Sequence, residues 1–81
     1  MPMNIRVKLF ATFTRFGPGQ RAGTPFEVEL AEGASLADLI THLGIPPEEV
    51  KLCFVNARAQ EADIRLCDGD EVGIFPPIGG G

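Results

Sequence analysis

The stretch Asp68-Gly69-Asp70-Glu71-Val72-Gly73-Ile74-Phe75-Pro76-Pro77-Ile78-Gly79-Gly80-Gly81 decides how this chain folds and what it can do. It is typical of a sharp turn, a short strand and a tail, because Asp and Gly favour turns and proline cannot donate a hydrogen bond to a sheet. Glycines at a terminus add no packing, and glycine loses more conformational freedom on ordering than any other residue. We therefore expect residues 1–75 to form the domain and residues 76–81 to form a flexible tail.

The tail has one reactive group, the α-carboxylate of Gly81. A carboxylate is a poor electrophile, so an enzyme has to activate it, and an acyl-adenylate made from ATP would supply the leaving group. A sulfur donor would then leave a thiocarboxylate, whereas an amine would give a conjugate. Six residues from Pro76 extend to roughly 20 Å, which is enough to enter a partner's active site. The alternative is that the glycines are a frayed end or a cloning remnant.

The rest of the chain supplies a sheet and one helix. Strands are predicted at 4–11, 26–30, 51–55 and 71–75, with a very short fifth strand within 57–66, because apolar and polar residues alternate there or follow each other in short apolar runs. A loop is predicted at 16–23, so the first two strands form a hairpin. The helix begins after Ser35, carries Leu36, Leu39, Ile40 and Leu43 on one face, and ends at Gly44. The predicted class is α+β, with a mixed sheet of four to five strands and the helix packed on one face.

Composition narrows the range of functions. The chain has 81 residues, a net charge of −4 and a pI near 4.8, which disfavours nucleic-acid binding and favours a partner with a basic surface. It lacks a signal-peptide pattern and any apolar run long enough to span a membrane, so we expect a cytoplasmic protein without membrane contact.

The residues that often form active sites are sparse. Cys53 and Cys67 belong to no CxxC motif, so we expect buried or half-buried free thiols and no metal site. His42 is predicted to be a surface or cap residue of the helix. Asp68 and Asp70 are better explained by a turn than by an acid/base or metal pair. We therefore expect no self-sufficient active site and leave open whether the chain is part of an enzyme.

Strand parity predicts a contact surface. If the first and last strands are neighbours, Phe10 and Phe75 both face away from the helix and form an exposed apolar patch beside the tail. The alternative is that the 12–25 loop covers one or both rings. Phe54 is ambiguous, because Phe54 and Lys51 cannot both point outward on a regular strand.

These features together resemble the MoaD/ThiS group of ubiquitin-like sulfur carriers. The turn and strand Asp68–Val72, followed by Phe75-Pro76-Pro77 and the terminal glycines, are similar to the ending of that family. Val55-Asn56 resembles its central strand and turn, and 7–11 resembles its first strand, so the likeness covers nearly the whole chain.

The resemblance implies a β-grasp fold and a defined chemistry. Gly81 would be adenylated by an activating enzyme of the MoeB/ThiF type and converted to a thiocarboxylate with sulfur from a cysteine desulfurase or rhodanese. ATP would serve that enzyme, and no cofactor would be bound stably by the carrier. Phe75-Pro76-Pro77 resembles the molybdopterin synthase small subunit, which implies a MoaE-like large subunit that carries the catalytic side chains. Partner contact is then expected at Phe10, Phe75, Pro76, Pro77, Ile78, Gly79 and Gly80.

Two other functions stay open at this point. The chain could carry sulfur to thiamine, tungsten cofactor, cysteine or tRNA thiolation. It could also be a ubiquitin-like modifier or interaction module, which predicts isopeptide adducts or function that survives deletion of Gly81.

Overall fold

The computed structural model describes residues 1–77, which form a mixed five-stranded sheet with one α-helix on one face. This is the predicted α+β arrangement and the β-grasp architecture that the family resemblance implies. The elements are β1 (Met3–Leu9), β2 (Phe26–Leu30), α1 (Leu36–Leu43), β3 (Leu52–Val55), β4 (Arg58–Gln60) and β5 (Glu71–Phe75). Within this part of the chain, no helix is long and apolar enough to cross a bilayer.

The strand order is β2-β1-β5-β3-β4, which places the first and last strands side by side at the centre. β1 and β5 are parallel, and every other neighbouring pair is antiparallel. A parallel pair needs a long crossover, and the segment containing α1, β3 and β4 supplies it. The predicted hairpin of the first two strands is present. The very short additional strand that was predicted within 57–66 is also present, as β4.

Helix α1 forms where the sequence predicts it because both ends are capped. The Ser35 side chain accepts a hydrogen bond from the Asp38 amide, and the Asp38 carboxylate accepts one from the Ser35 amide, which completes a capping box. Gly44 ends the helix in the left-handed conformation, with φ of 80°. Of the predicted apolar stripe, Leu36, Leu39 and Ile40 are buried, and Leu43 is half-buried and packs against the core.

The core lies between α1 and one face of the sheet. Its buried members are Met3, Ile5, Val7, Leu9, Phe13, Val28, Leu30, Leu36, Leu39, Ile40, Ile45, Cys53, Val55, Leu66, Val72 and Ile74. The alternation of β1 and β5 therefore has the predicted parity. Burial of this aliphatic surface supplies the main driving force of the fold.

The segment after β1 differs from the prediction. The first strand was expected to reach Ala11 but ends at Leu9, and Ala11 has a positive φ of 52° that turns the chain out of the sheet. Two 3₁₀ turns, Ala11–Phe16 and Pro18–Gln20, then occupy much of the predicted loop. Phe13 is fully buried, so this segment closes one end of the core.

The turn before β5 joins three parts of the fold. The Asp68 carboxylate accepts a hydrogen bond from the Asn4 amide at 2.7 Å. The Asp70 carboxylate accepts from the Cys67 amide at 2.8 Å and from the Asn56 side chain at 2.9 Å. Asp68 and Asp70 thus hold β1 and the β3–β4 turn against the start of β5, which confirms the turn explanation for this acidic pair.

Candidate functional site

A pair of aromatic rings lies on the sheet face opposite the helix. Because β1 and β5 are adjacent and parallel, Phe10 and Phe75 come together at one end of the central strands. Their rings stack with centroids 4.2 Å apart and planes within 5° of parallel. Both side chains are half-buried. The first and last strands are therefore neighbours, as the parity argument required, and the two rings form one apolar patch.

Phe54 joins this patch. In β3, Cys53 and Val55 point into the core, so Phe54 points to the open face. Its ring packs edge-to-face on Phe75, with centroids 5.7 Å apart and planes at 85°. Sequence reasoning left Phe54 ambiguous because Lys51 was counted as part of the strand, whereas β3 begins at Leu52.

Leu52 extends the same surface and was missed from the sequence. It lies opposite Phe75 in the ladder and is 42% exposed, which is high for a large aliphatic side chain. The sequence could have indicated this, because Leu52 and Phe54 are two residues apart and residues at that spacing in a strand share one face of the sheet. We call the surface formed by Phe10, Leu52, Phe54 and Phe75 the aromatic face.

The loop after β1 borders the aromatic face. Phe13 is buried in the core and Phe16 packs against it, so both rings are turned away from Phe10 and Phe75. The loop returns at Gly23, whose amide donates to the Leu9 carbonyl at 2.9 Å. A Cβ at Gly23 would lie 3.4 Å from Phe10 Cε1, so the loop returns beside that ring.

A small groove opens at the middle of the aromatic face, with a volume of about 150 Å³. We call it the central groove, and its lining residues are Lys8, Phe10, Phe54, Ala57, Glu71, Gly73 and Phe75. Lys8 Nζ lies 3.5 Å from Glu71 Oε1, which places a partly exposed ion pair at one side. The groove is thus apolar in its walls and charged at its margin.

The tail leaves the sheet beside this surface. The Phe75 carbonyl accepts a hydrogen bond from the Lys51 amide at 3.0 Å, so pairing continues to the last residue of β5. Pro76 is buried and Pro77 is exposed. Ile78, Gly79, Gly80 and Gly81 lie outside the described residues, so the expected roles of these four residues remain predictions.

Comparison with known proteins identifies the family. The model of the ThiS family matches residues 7–81, which is nearly the whole chain and includes its glycine-rich end. The chain belongs to the ThiS family. ThiS and MoaD-like proteins are sulfur carriers with a ubiquitin fold that generally work with activating enzymes and partner subunits. The resemblance stated from the motifs is therefore confirmed at the level of the family.

Solved structures agree with this ThiS-family assignment. A Pyrococcus furiosus protein provisionally named molybdopterin converting factor subunit 1 is 32% identical, with a TM-score of 0.71 over 94% of this chain and 99% of that one. Small archaeal modifier protein 1 of Haloferax volcanii is 19% identical, with a TM-score of 0.72 over 94% and 99% of the two chains.

A ubiquitin from Caldiarchaeum subterraneum is 19% identical, with a TM-score of 0.61 over the full length of both chains. At 19% identity, both the archaeal modifier and this ubiquitin support the fold alone. A search of curated proteins found no match.

The thiols of this ThiS-family chain differ from each other. Cys53 is buried under α1, and burial raises the pKa of its thiol to about 11, so it stays protonated and unreactive at neutral pH. Cys67 is exposed, and the expectation that it is buried or half-buried was wrong. The reason is its position in the turn, where its amide binds Asp70 and its side chain lies outside the core.

Residues 1–77 contain no cluster of three or more His, Cys, Asp or Glu side chains that could hold a metal ion. His42 is exposed in the last turn of α1, as predicted. The described part of the chain therefore presents an apolar surface next to the start of the tail.

Proposed function

We propose that this protein is a sulfur carrier that serves as the small subunit of a molybdopterin synthase, with Gly81 as its reacting residue. The observation that carries the proposal is the family match through residue 81, together with the Phe75-Pro76-Pro77 junction between β5 and the glycine run. The molybdopterin pathway is favoured by the 32% identical Pyrococcus furiosus protein, whose provisional name refers to that conversion.

The chemistry takes place at the carboxyl end of the tail. A Gly81 carboxylate oxygen attacks the α-phosphorus of ATP in the activating enzyme, and pyrophosphate leaves. The terminal sulfur of a donor persulfide then attacks the acyl carbon, and AMP leaves. A second thiol reduces the resulting acyl disulfide, which gives the thiocarboxylate and a disulfide on the donor.

The folded domain contributes the docking surface. The aromatic face lies where the tail begins, because Phe75 is both a member of that face and the last residue of β5. A partner that covers this face would remove apolar surface from water, which is favourable by about 25 cal/mol per Å² of buried apolar area. Docking would fix the starting point of the tail while its end, up to roughly 20 Å away, reaches the reacting groups of the partner.

Intact mass spectrometry tests the carrier chemistry. The protein is incubated with ATP, a MoeB/ThiF-like activating enzyme and a sulfur donor such as a cysteine desulfurase or rhodanese. The expected result is a mass gain equal to the replacement of one oxygen by one sulfur, mapped to Gly81. An unchanged mass, with an enzyme that is active on its own carrier, would contradict the proposal.

Deletion of Gly81 is the matched control. It moves the carboxylate by about 3.5 Å, and a displacement of about 1 Å can already reduce a rate about 100-fold. We expect no mass gain from the shortened chain. If the biological function of the protein survives this deletion, the result would instead support an interaction module.

The pathway needs a separate test. The thiocarboxylated protein is mixed with a MoaE-like large subunit and the cyclic pterin precursor, and dithiolene formation is followed together with loss of sulfur from Gly81. Formation of the dithiolene supports the molybdopterin assignment. Sulfur transfer only to another acceptor would place the carrier in a different pathway, and isopeptide adducts to lysines would identify a modifier.

A further inference from the structure

Gly73 occupies a position where the fold does not require glycine. It lies in the central strand β5, opposite Lys8 on one side and Phe54 on the other. Its φ is outside the left-handed region. A Cβ there would lie 3.5 Å from both Phe10 Cε2 and Phe75 Cε1, which is ordinary van der Waals contact. Because glycine inside a strand weakens it relative to alanine, an alanine would fit and stabilise β5.

Ala57 occupies a position where the fold favours glycine. Asn56 and Ala57 form the two-residue turn between β3 and β4, and their φ values are 51° and 70°. Positive φ at both positions is the geometry of a type I′ turn, for which Asn-Gly is the preferred sequence. The alanine methyl group therefore strains the backbone, and such strain tends to be kept at functional sites.

These two departures meet at one place, because Gly73 and Ala57 both line the central groove. Gly73 leaves the floor of the groove open, and Ala57 adds a methyl group to its wall. Each choice lowers the stability of the isolated fold, and each shapes the same small space. We propose that the central groove receives one aliphatic side chain, such as leucine or methionine, from the adenylating enzyme that activates the tail; this inference rests on the proposed function.

The size and chemistry of the groove identify its occupant. A volume of about 150 Å³ is well below the 300–1,000 Å³ of typical sites for small molecules, so it suits a single side chain. Three phenyl rings form the walls and favour an apolar group. The margin carries the Lys8–Glu71 pair, which favours a protein surface with polar residues around one apolar anchor.

The position of the groove favours the adenylating enzyme as the source of that side chain. Phe75 forms part of the groove and directly precedes the tail, so a partner that holds the tail is near enough to cover the groove. Activation of Gly81 is the step that every proposed sulfur pathway shares. The enzyme that carries out this shared step is therefore the partner that we assign to the groove.

The test compares Gly73→Ala and Ala57→Gly with the unmodified full chain. The readouts are the thermal midpoint and the steady-state KM and kcat for the carrier in ATP–pyrophosphate exchange by the MoeB/ThiF-like enzyme. We expect both variants to raise Tm by about 2 to 6 °C. We expect both to raise KM, by about tenfold for Gly73→Ala, and to leave kcat unchanged, because the tail and its carboxylate are intact.

Ser35→Ala serves as the control, because it removes a helix cap on the opposite side of the sheet. It should lower Tm and leave KM unchanged, which separates binding from stability. An unchanged KM for both groove variants would overturn the inference and leave the carrier function standing. A lower Tm for Gly73→Ala would also overturn it, since the fold would then need the glycine. No exchange with the unmodified chain would overturn both the inference and the proposed function.

Discussion

The two faces of the sheet are built from different side chains. The face under α1 is aliphatic and closed, and Ile5, Val7 and Val72 are each 0% exposed. The opposite face carries Phe10, Phe54 and Phe75, all half-buried, and the exposed Leu52. Both faces are formed by the three central strands and the residue that follows β1, so strand alternation separates the packing surface from the proposed contact surface.

This difference indicates that the closed face supplies most of the stability, while the open face is the surface proposed for docking. Branched aliphatic residues fill the closed face at high density, and changes in volume are costly there. Aromatic rings on the open face offer large apolar area with few rotatable bonds, which suits repeated docking. Substitutions on the two faces should therefore separate stability from partner binding.

The largest effect on stability is expected from a cavity on the closed face. Leu39→Ala removes a side chain that is 0% exposed, and it should lower the free energy of unfolding by about 2–5 kcal/mol. Phe54→Ala on the open face removes an edge-to-face contact with Phe75 and should cost about 1 kcal/mol. Urea unfolding of both variants measures the difference. Equal losses would mean that the open face also supports the fold.

Sequence reasoning succeeded where one physical signal dominated. Alternation in β1 and β5 predicted which side chains face the helix, and Ser35 with Gly44 predicted both ends of α1. The neighbouring positions of Phe10 and Phe75 followed from parity once β1 and β5 are adjacent. These features depend on local pattern, which a single sequence displays.

The failures occurred where tertiary contacts override local pattern. Phe13 lies in the 12–25 loop, for which no core residue was predicted, yet it is fully buried and closes one end of the core. Cys67 lies next to Leu66 in sequence, but the turn hydrogen bonds place Leu66 in the core and Cys67 outside it. The central groove was missed because it depends on the register that sets Gly73 opposite Phe54.

A smaller loss of stability is expected at the turn before β5. Asp70→Ala removes an acceptor that binds both the Cys67 amide and the Asn56 side chain, and it should cost about 1–3 kcal/mol. Asp63→Ala is a suitable control, since the exposed Asp63 accepts no side-chain hydrogen bond from residues 1–77. Chemical denaturation measures both. If the two variants lose the same free energy of unfolding, the hydrogen bonds of Asp70 do not stabilise the fold.

The buried Cys53 on the closed face should make the free energy of unfolding depend on pH in alkaline solution. Burial raises the pKa of the Cys53 thiol from 9.0 to about 11, so the folded chain holds this proton more tightly than the unfolded chain. The resulting stabilisation is complete below pH 9 and is lost as the pH rises through about 11. We expect the free energy of unfolding to fall across that range.

Two cysteine variants isolate this effect. Cys53→Ala should show a shallower decline between pH 9 and pH 11, whereas Cys67→Ala leaves the buried Cys53 in place and should keep the decline that Cys53 causes. The measurement is urea unfolding at several pH values in this range. A decline that is identical in both variants would show that other groups cause it.

The smallest change in stability is expected at the charged margin of the open face. Lys8 and Glu71 are 34% and 43% exposed, and exposed ion pairs contribute about 0–1 kcal/mol. Lys8→Gln should therefore change the free energy of unfolding by less than about 1 kcal/mol, and added salt should reduce the difference because it screens exposed charges. Urea unfolding of both chains at low and high salt measures it. A larger loss that persists in high salt would show that this pair stabilises the sheet, and the open face would then share the structural role of the closed one.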